Sequence, residues 1–254
     1  ARLLEETIIH EGAETVAAFI MEPMISGGGV LVPPDNYLPL VREICDRYGV
    51  LLIFDEVVSG FGRTGHMFGQ QHWDTQADIV TCAKGLASGY MPIAATIAKR
   101  RIFESFLGDP GELRHFRQVN TFGAHPVAAA VALRNIDIVE TENLVDNSRE
   151  VGEYLRRQLA ERIGDIPVVG EIRGKGLLAG VELVADRASR EPLADASVAA
   201  VVGHCMRNGV IIGRNGNTVP GRCNVLVLAP PLVASEKEAD EIVTAIDNAL
   251  RSLD

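Results

Sequence analysis

Apolar residues along the chain keep two rhythms, helical spacing in some stretches and short continuous runs in others. Leu3-Leu4-Glu5-Glu6-Thr7-Ile8-Ile9 predicts an opening helix. Thr15 to Met21 reads as a strand ending at Glu22-Pro23, and a long loop follows with Gly27-Gly28-Gly29 and Pro33-Pro34. From about Tyr37 to Tyr48, the residues Leu38, Val41, Ile44, Cys45 and Tyr48 share one helical face, and Gly49 is a stop. Val50 to Phe54 is continuously apolar, as a strand covered on both faces would be. Ile79 to Cys82 and Pro92 to Ala98 predict further strands.

After Pro126 an Ala- and Val-rich helix runs to about Val139, and a longer one covers roughly Leu144 to Arg162. Beyond Gly164 short strands are predicted at Val168 to Ile172, Leu177 to Leu183, Val210 to Ile212 and Asn224 to Leu228, with a helix near Ala196 to Asn208. The last helix opens on Ser235 and Glu238 in a capping-box arrangement. Alternating strands and helices imply an α/β fold whose sheet is mostly parallel, with crossover helices. A boundary in the long helix near residue 150 makes 1–150 a large domain and 151–254 a smaller α+β domain.

Composition narrows the class of ligand. A chain of 254 residues can bury one large core or two smaller ones. Its formal charge of −10 argues against nucleic acid or an anionic membrane as main partner, and so favours small molecules. Cys45, Cys82, Cys205 and Cys223 are far apart, which fits a reducing, cytoplasmic setting and indicates no metal site. There is no apolar run of about 18 residues or more and no signal-peptide pattern. The chain starts at Ala1 without an initiator Met, as a fragment or processed chain would.

Lys84 follows the strand Ile79 to Cys82 and lies 29 residues after Asp55, which closes the run Val50 to Phe54. Ligands of open α/β sheets bind outside the carboxyl ends of the strands, where both residues fall. An ammonium beside apolar strands is costly, so a lysine there suggests a covalent role. The pair suits a Schiff-base cofactor: pyridoxal phosphate needs a lysine amine for its aldehyde and a carboxylate to keep its ring nitrogen protonated. Taken singly, Lys84 reads as a solvated loop charge and Asp55 as a turn cap.

The residues carry a family resemblance through nearly the whole chain. Glu22-Pro23 with Gly28-Gly29-Val30 and Pro33-Pro34, Asp55-Glu56-Val57-Val58-Ser59-Gly60-Phe61-Gly62-Arg63-Thr64-Gly65, and Ala83-Lys84-Gly85-Leu86 come first. Thr121-Phe122-Gly123-Ala124-His125-Pro126, Arg173-Gly174-Lys175-Gly176-Leu177 and Ala229-Pro230-Pro231-Leu232 follow in order. This combination resembles the class III aminotransferases, or ω-transaminases, which use pyridoxal 5'-phosphate on the fold type I architecture. It implies transfer of an amino group from a primary amine, such as β-alanine or taurine, to a keto acid such as pyruvate, by a ping-pong mechanism.

By that resemblance Lys84 forms the Schiff base and shuttles the proton between substrate carbon and cofactor. Asp55 is the carboxylate at the pyridine nitrogen, and Val57 packs on the ring face. Thr121 gives its hydroxyl to the cofactor phosphate of the neighbouring subunit, so active sites are shared in a homodimer, with pairing into a tetramer left open. Glu22, Val58 and Phe122 belong to the same cofactor-binding motifs. Arg214 matches the mobile arginine that receives a carboxylate, for which a planar guanidinium is suited. Arg222, in the stretch Thr218 to Asn224, competes for that role.

Two departures narrow the subgroup. Ornithine- and γ-aminobutyrate-type members carry a glutamate where this chain has Gly27, and a glutamine where it has Val58. Their absence resembles the pyruvate-coupled enzymes, and the region from Gly213 to Gly221 resembles taurine:pyruvate members. Gly174 to Gly180 imitates a dinucleotide fingerprint but lacks its spacing, which disfavours a nicotinamide oxidoreductase. His72 and His125 read as structural. The resemblance further implies a large N-terminal stretch with a phosphate-cradling Gly-Ser loop and a ring-stacking aromatic, so the chain reads as the C-terminal part of a longer member. A truncated, non-catalytic dimerisation module is the rival reading.

Overall fold

The computed structural model describes residues 1–216 and 219–253; Thr218, which opens the stretch before the last predicted strand, lies outside them. The chain divides into two compact units. The first comprises Ala1–Pro23, Pro33–Phe61 and Gln70–Glu140, the second Met24–Val32, Gly62–Gly69 and Thr141–Asp254.

In the first unit, α1 (Arg2–Glu11) and a turn of 3-10 helix precede β1 (Ala18–Met21). Then come α2 (Tyr37–Tyr48), β2 (Leu51–Asp55), β3 (Ile79–Cys82), β4 (Ala95–Ala98), α3 (Arg100–Glu104) and α4 (Pro126–Thr141). The strands form one sheet in the order β1-β2-β3-β4, the first three parallel and β4 antiparallel to β3. Helix α2 has the predicted bounds because Leu38, Val41, Ile44 and Cys45 bury one face and Gly49 ends it at φ 70, the left-handed conformation in which glycine meets no Cβ penalty. Along β2 burial alternates: Leu52 and Phe54 are buried, Leu51 and Ile53 only partly. Coverage on both faces, expected from the apolar run, is therefore not what this unit shows; α2 packs on β2 and covers one side.

A buried carboxylate sets the register of this sheet. Asp78 sits just ahead of β3, 2% exposed, and its Oδ2 accepts the Leu52 N–H at 2.9 Å and Arg42 Nη1 at 2.8 Å. Its Oδ1 accepts Lys99 Nζ at 3.1 Å and Arg101 Nη2 at 2.6 Å. Burial alone would push the carboxyl up, but the Leu52 N–H and the Arg101, Arg42 and Lys99 cations outweigh it and hold it well below the ordinary aspartate range.

The second unit holds α5 (Leu144–Ile163), β5 (Val169–Lys175), β6 (Leu178–Asp186), β7 (Glu191–Pro192), α6 (Asp195–Arg207), β8 (Gly213–Arg214), β9 (Val225–Leu228) and α7 (Glu236–Arg251). Its sheet is antiparallel, in the order β5-β6-β9-β8, with β7 paired to β6. Leu155, Leu159 and Ile163 of α5, Val198 and Val201 of α6, and Val243 and Ile246 of α7 join Val181, Leu183 and Leu226 in one core. Ser235 and Glu238 form the expected capping box. The strand expected at Val210 to Ile212 instead begins at Gly213, because the Val210 N–H turns back to Cys205 O at the end of α6. Where the β5–β6 hairpin passes α5, Gly152 and Gly176 meet so closely that a Cβ on Gly152 would lie 2.0 Å from Gly176 O.

The division falls at Glu140, ahead of α5, rather than inside that helix near residue 150. Two loops also go with the second unit, for a visible reason. Arg173 of β5 donates to Gly29 O at 2.7 Å and Val30 O at 3.0 Å, and Arg63 donates to Leu177 O at 2.8 Å and Pro230 O at 2.6 Å. No helix among the described residues is long and apolar enough to cross a membrane.

Replacing Asp78 with Asn strips a buried charge from three cations, two of them exposed, and is expected to destabilise the protein by about 2–4 kcal/mol in urea unfolding. Because the folded carboxyl is depressed, its contribution is complete above the ordinary aspartate range near pH ~4 and shrinks as pH falls. The unsubstituted protein should accordingly lose more stability than D78N on going from pH ~5 to ~2.

Candidate active site

Because β1, β2 and β3 are parallel, their carboxyl ends lie along one sheet edge, and three of the candidate residues fall there. Glu22 follows β1, Asp55 is the last residue of β2, and Lys84 comes two residues after β3. Asp55 pairs in register with Thr81, so the aspartate and the segment that delivers the lysine are fixed by one ladder.

The Asp55 carboxylate is partly buried and oriented from within: its Oδ1 accepts the Val57 N–H at 3.0 Å. No hydrogen bond is made to Oδ2 among the described residues, which leaves an acceptor free at the edge. Val57 and Val58 are partly buried on the same turn. Glu56, wholly buried, braces that turn by accepting the Ser59 hydroxyl at 2.5 Å and the Gln70 N–H at 2.8 Å.

Lys84 is exposed, not enclosed among the strands as its position beside apolar runs suggested, because it stands past the strand end where the chain turns. Its φ of 34 lies in the left-handed region, which a residue with a Cβ adopts only when its surroundings impose it. Among the described residues no carboxylate lies within ion-pair distance of its ammonium. Gly85 packs against the end of the Asp55 turn: a Cβ there would meet Phe61 Cβ at 3.1 Å.

Thr121 and Phe122 belong to the same unit but stand on an exposed turn ahead of α4, and no hydrogen bond joins them to the edge residues. Arg214 lies in the second unit on β8 rather than in a turn, its Nη1 2.8 Å from Asp195 Oδ1. Gly27 borders the same stretch, since the Gly216 N–H donates to Gly27 O at 3.3 Å, and a Cβ on Gly27 would meet nothing within 4 Å. Asp195 thus gives Arg214 the carboxylate that Gly27 cannot. Arg222 serves backbone closure, its carbonyl accepting Asn215 Nδ2 at 2.8 Å.

Residues 1–250 match the family described as Aminotransferase class-III. The chain belongs to the class III aminotransferases. Over 255 residues it is 46% identical to a taurine–pyruvate aminotransferase of Bilophila wadsworthia, covering 100% of this chain and 56% of that protein. A solved aminotransferase of Bacillus anthracis superposes with a TM-score of 0.96 at 48% identity, over 98% of this chain and 55% of its own. An amine transaminase from an uncultivated Pseudomonas species, solved in its PLP-bound form, superposes with a TM-score of 0.92 at 40% identity, covering 100% of this chain and 56% of that one. The chain therefore spans little more than half the length of these relatives, and its mixed α/β architecture is that of PLP-dependent transaminases of fold type I.

Sequence reasoning overlooked three polar residues of this class III chain: Glu56, Asp78 and Asn135. A charged residue abutting an apolar strand was the available signal for the first two, and a lone amide on the apolar stripe of α4 for the third. Removing Glu56 should show its bracing role. Glu56→Ala leaves the buried Ser59 hydroxyl and the Gln70 N–H without their acceptor, and thermal unfolding should report a loss of about 2–4 kcal/mol.

Proposed function

We propose that the protein is a pyridoxal-phosphate-dependent aminotransferase that takes an amino group from a primary amine bearing a sulfonate or carboxylate and gives it to a keto acid such as pyruvate. The observation that carries this reading is the pairing, on one parallel sheet edge, of an unengaged lysine amine with an aspartate that has one oxygen held and one free. That donor set fits pyridoxal phosphate, which needs an amine for its aldehyde and an acceptor for its ring N–H. When bound, the cofactor supplies an electron-withdrawing ring that labilises the bonds of the carbon bearing the transferred nitrogen.

Asp55, whose carboxylate the Val57 N–H keeps from rotating, would accept the ring N–H. Val57 would cover the ring face, Glu22, Val58 and Phe122 would complete the surroundings, and Thr121 would donate its hydroxyl to the phosphate in a homodimer. Lys84 would hold the cofactor by its amine, and that amine, when free, would be the group that moves a proton to and from the substrate carbon. Arg214 releases Asp195 and pairs with the substrate anion. An exposed ion pair of this kind is worth little, about 0–1 kcal/mol, so an incoming anion displaces it readily. The 46% identity to a taurine–pyruvate aminotransferase supports the donor class, and four buried cysteines that form no disulfide support a reducing compartment such as the cytoplasm.

Single-turnover absorbance changes of the protein incubated with pyridoxal phosphate test the reading. Taurine or β-alanine should be converted faster than uncharged arylalkylamines, and D55N should lower either rate by roughly 100-fold or more. R214A should raise KM for the keto acid by roughly 10- to 100-fold with less effect on kcat. Faster conversion of the arylalkylamines would overturn the donor class; no turnover with any amine would favour the non-catalytic module.

A further inference from the structure

The geometry points to Asn135 as the positioning residue of Lys84, an inference that rests on Lys84 being the cofactor lysine. Along α4, Ala128, Ala132 and Val139 are buried, and Asn135 falls on the same face at helical spacing. A polar amide on an apolar stripe is retained where it has partners to satisfy. Asn135 has three, all in the turn that carries Lys84. Its Nδ2 donates to Gly85 O at 2.8 Å and to Leu86 O at 3.2 Å, and its Oδ1 accepts the Ser88 hydroxyl at 2.7 Å.

These bonds act where the backbone is least comfortable. Lys84 at φ 34 and Ser88 at φ 48 both occupy the left-handed region, and the two carbonyls that Asn135 captures lie between them. On its other side the turn abuts Phe61 through Gly85, so the Asp55 turn and α4 hold it from two directions. Asn135 supplies the polar half of that grip. With both donors gone, the turn is free to relax toward ordinary backbone angles, and the Lys84 amine moves off its line to the sheet edge.

Two near-isosteric variants separate positioning from packing. Asn135→Leu fills the apolar stripe but makes no hydrogen bond, whereas Asn135→Asp keeps an acceptor for Ser88 and loses both donors. Amide hydrogen exchange of the full chain should quicken about tenfold or more at Leu86 and Ala87 in both variants, with the β2 amides unchanged. With pyridoxal phosphate bound, the pH midpoint of the visible absorbance band should shift by roughly half a unit or more in both. Exchange and midpoint unchanged in N135L would overturn the proposal, as would faster exchange spread evenly over the sheet with an unmoved midpoint. A S88A variant, which keeps both donors, should give a smaller effect on exchange than N135D; an equal one would also overturn it. If the unsubstituted protein forms no visible band, the cofactor reading of Lys84 falls, and exchange at Leu86 and Ala87 alone decides whether Asn135 holds the turn.

Discussion

The Asp78 carboxylate is the fixed point of the first unit. A single buried side chain accepts a backbone N–H from β2 and cations from α2, from the end of β4 and from the start of α3. Its own N–H and carbonyl bond to Leu52 O and the Lys99 N–H, so side chain and backbone fix the same strands. Strand side chains alternate between faces, and a slip of one residue would reverse every side chain along β2 or β3. The apolar runs are too short and too uniformly apolar to forbid that slip by themselves. The buried Asp78 charge, bonded to the β2 backbone and to three cations, opposes it.

Everything at the opposite edge inherits that register. With Ile53 opposite Ile79 and Asp55 opposite Thr81, the aspartate ends its strand level with the chain that leads to Lys84. Local devices then convert register into orientation: the Val57 N–H on the Asp55 carboxylate, Glu56 under the turn, Gly85 against Phe61, and Asn135 on the carbonyls beyond the lysine. Each is modest, and several hold backbone in left-handed conformations that the sequence around them would not choose. Strain of this sort persists only where neighbours over-determine it, which is the condition for a pre-organised site.

Much of this was legible in the sequence where the cause is local. Helix α2 declared both its face and its stop, α7 its capping box, and the candidate residues Asp55 and Lys84 their place at the ends of β2 and β3. Features decided by distant partners were not legible. The strand expected at Val210 gave way to a helix-end hydrogen bond, and the loops 24–32 and 62–69 joined the second unit through guanidinium–carbonyl bonds between residues more than a hundred positions apart. Likewise Asp195 could not be matched to Arg214 from spacing, since α6 and the loop after it intervene. Lys84 was singled out from its context, but its exposure and its backbone angle come from the turn that Asn135 and Phe61 shape.

The central claim is that this edge holds pyridoxal phosphate through Lys84. The chain contains four lysines, Lys84, Lys99, Lys175 and Lys237, so the claim reduces to which amine reacts. Lys99 pairs with the buried Asp78, whereas Lys237 is exposed and lies 4.0 Å from Glu241. Borohydride reduction in the presence of pyridoxal phosphate, followed by peptide mass mapping, reads the answer directly. The account predicts a phosphopyridoxyl label on the peptide carrying Lys84, at one equivalent per chain. A label spread over the other lysines, or none on Lys84, would contradict it.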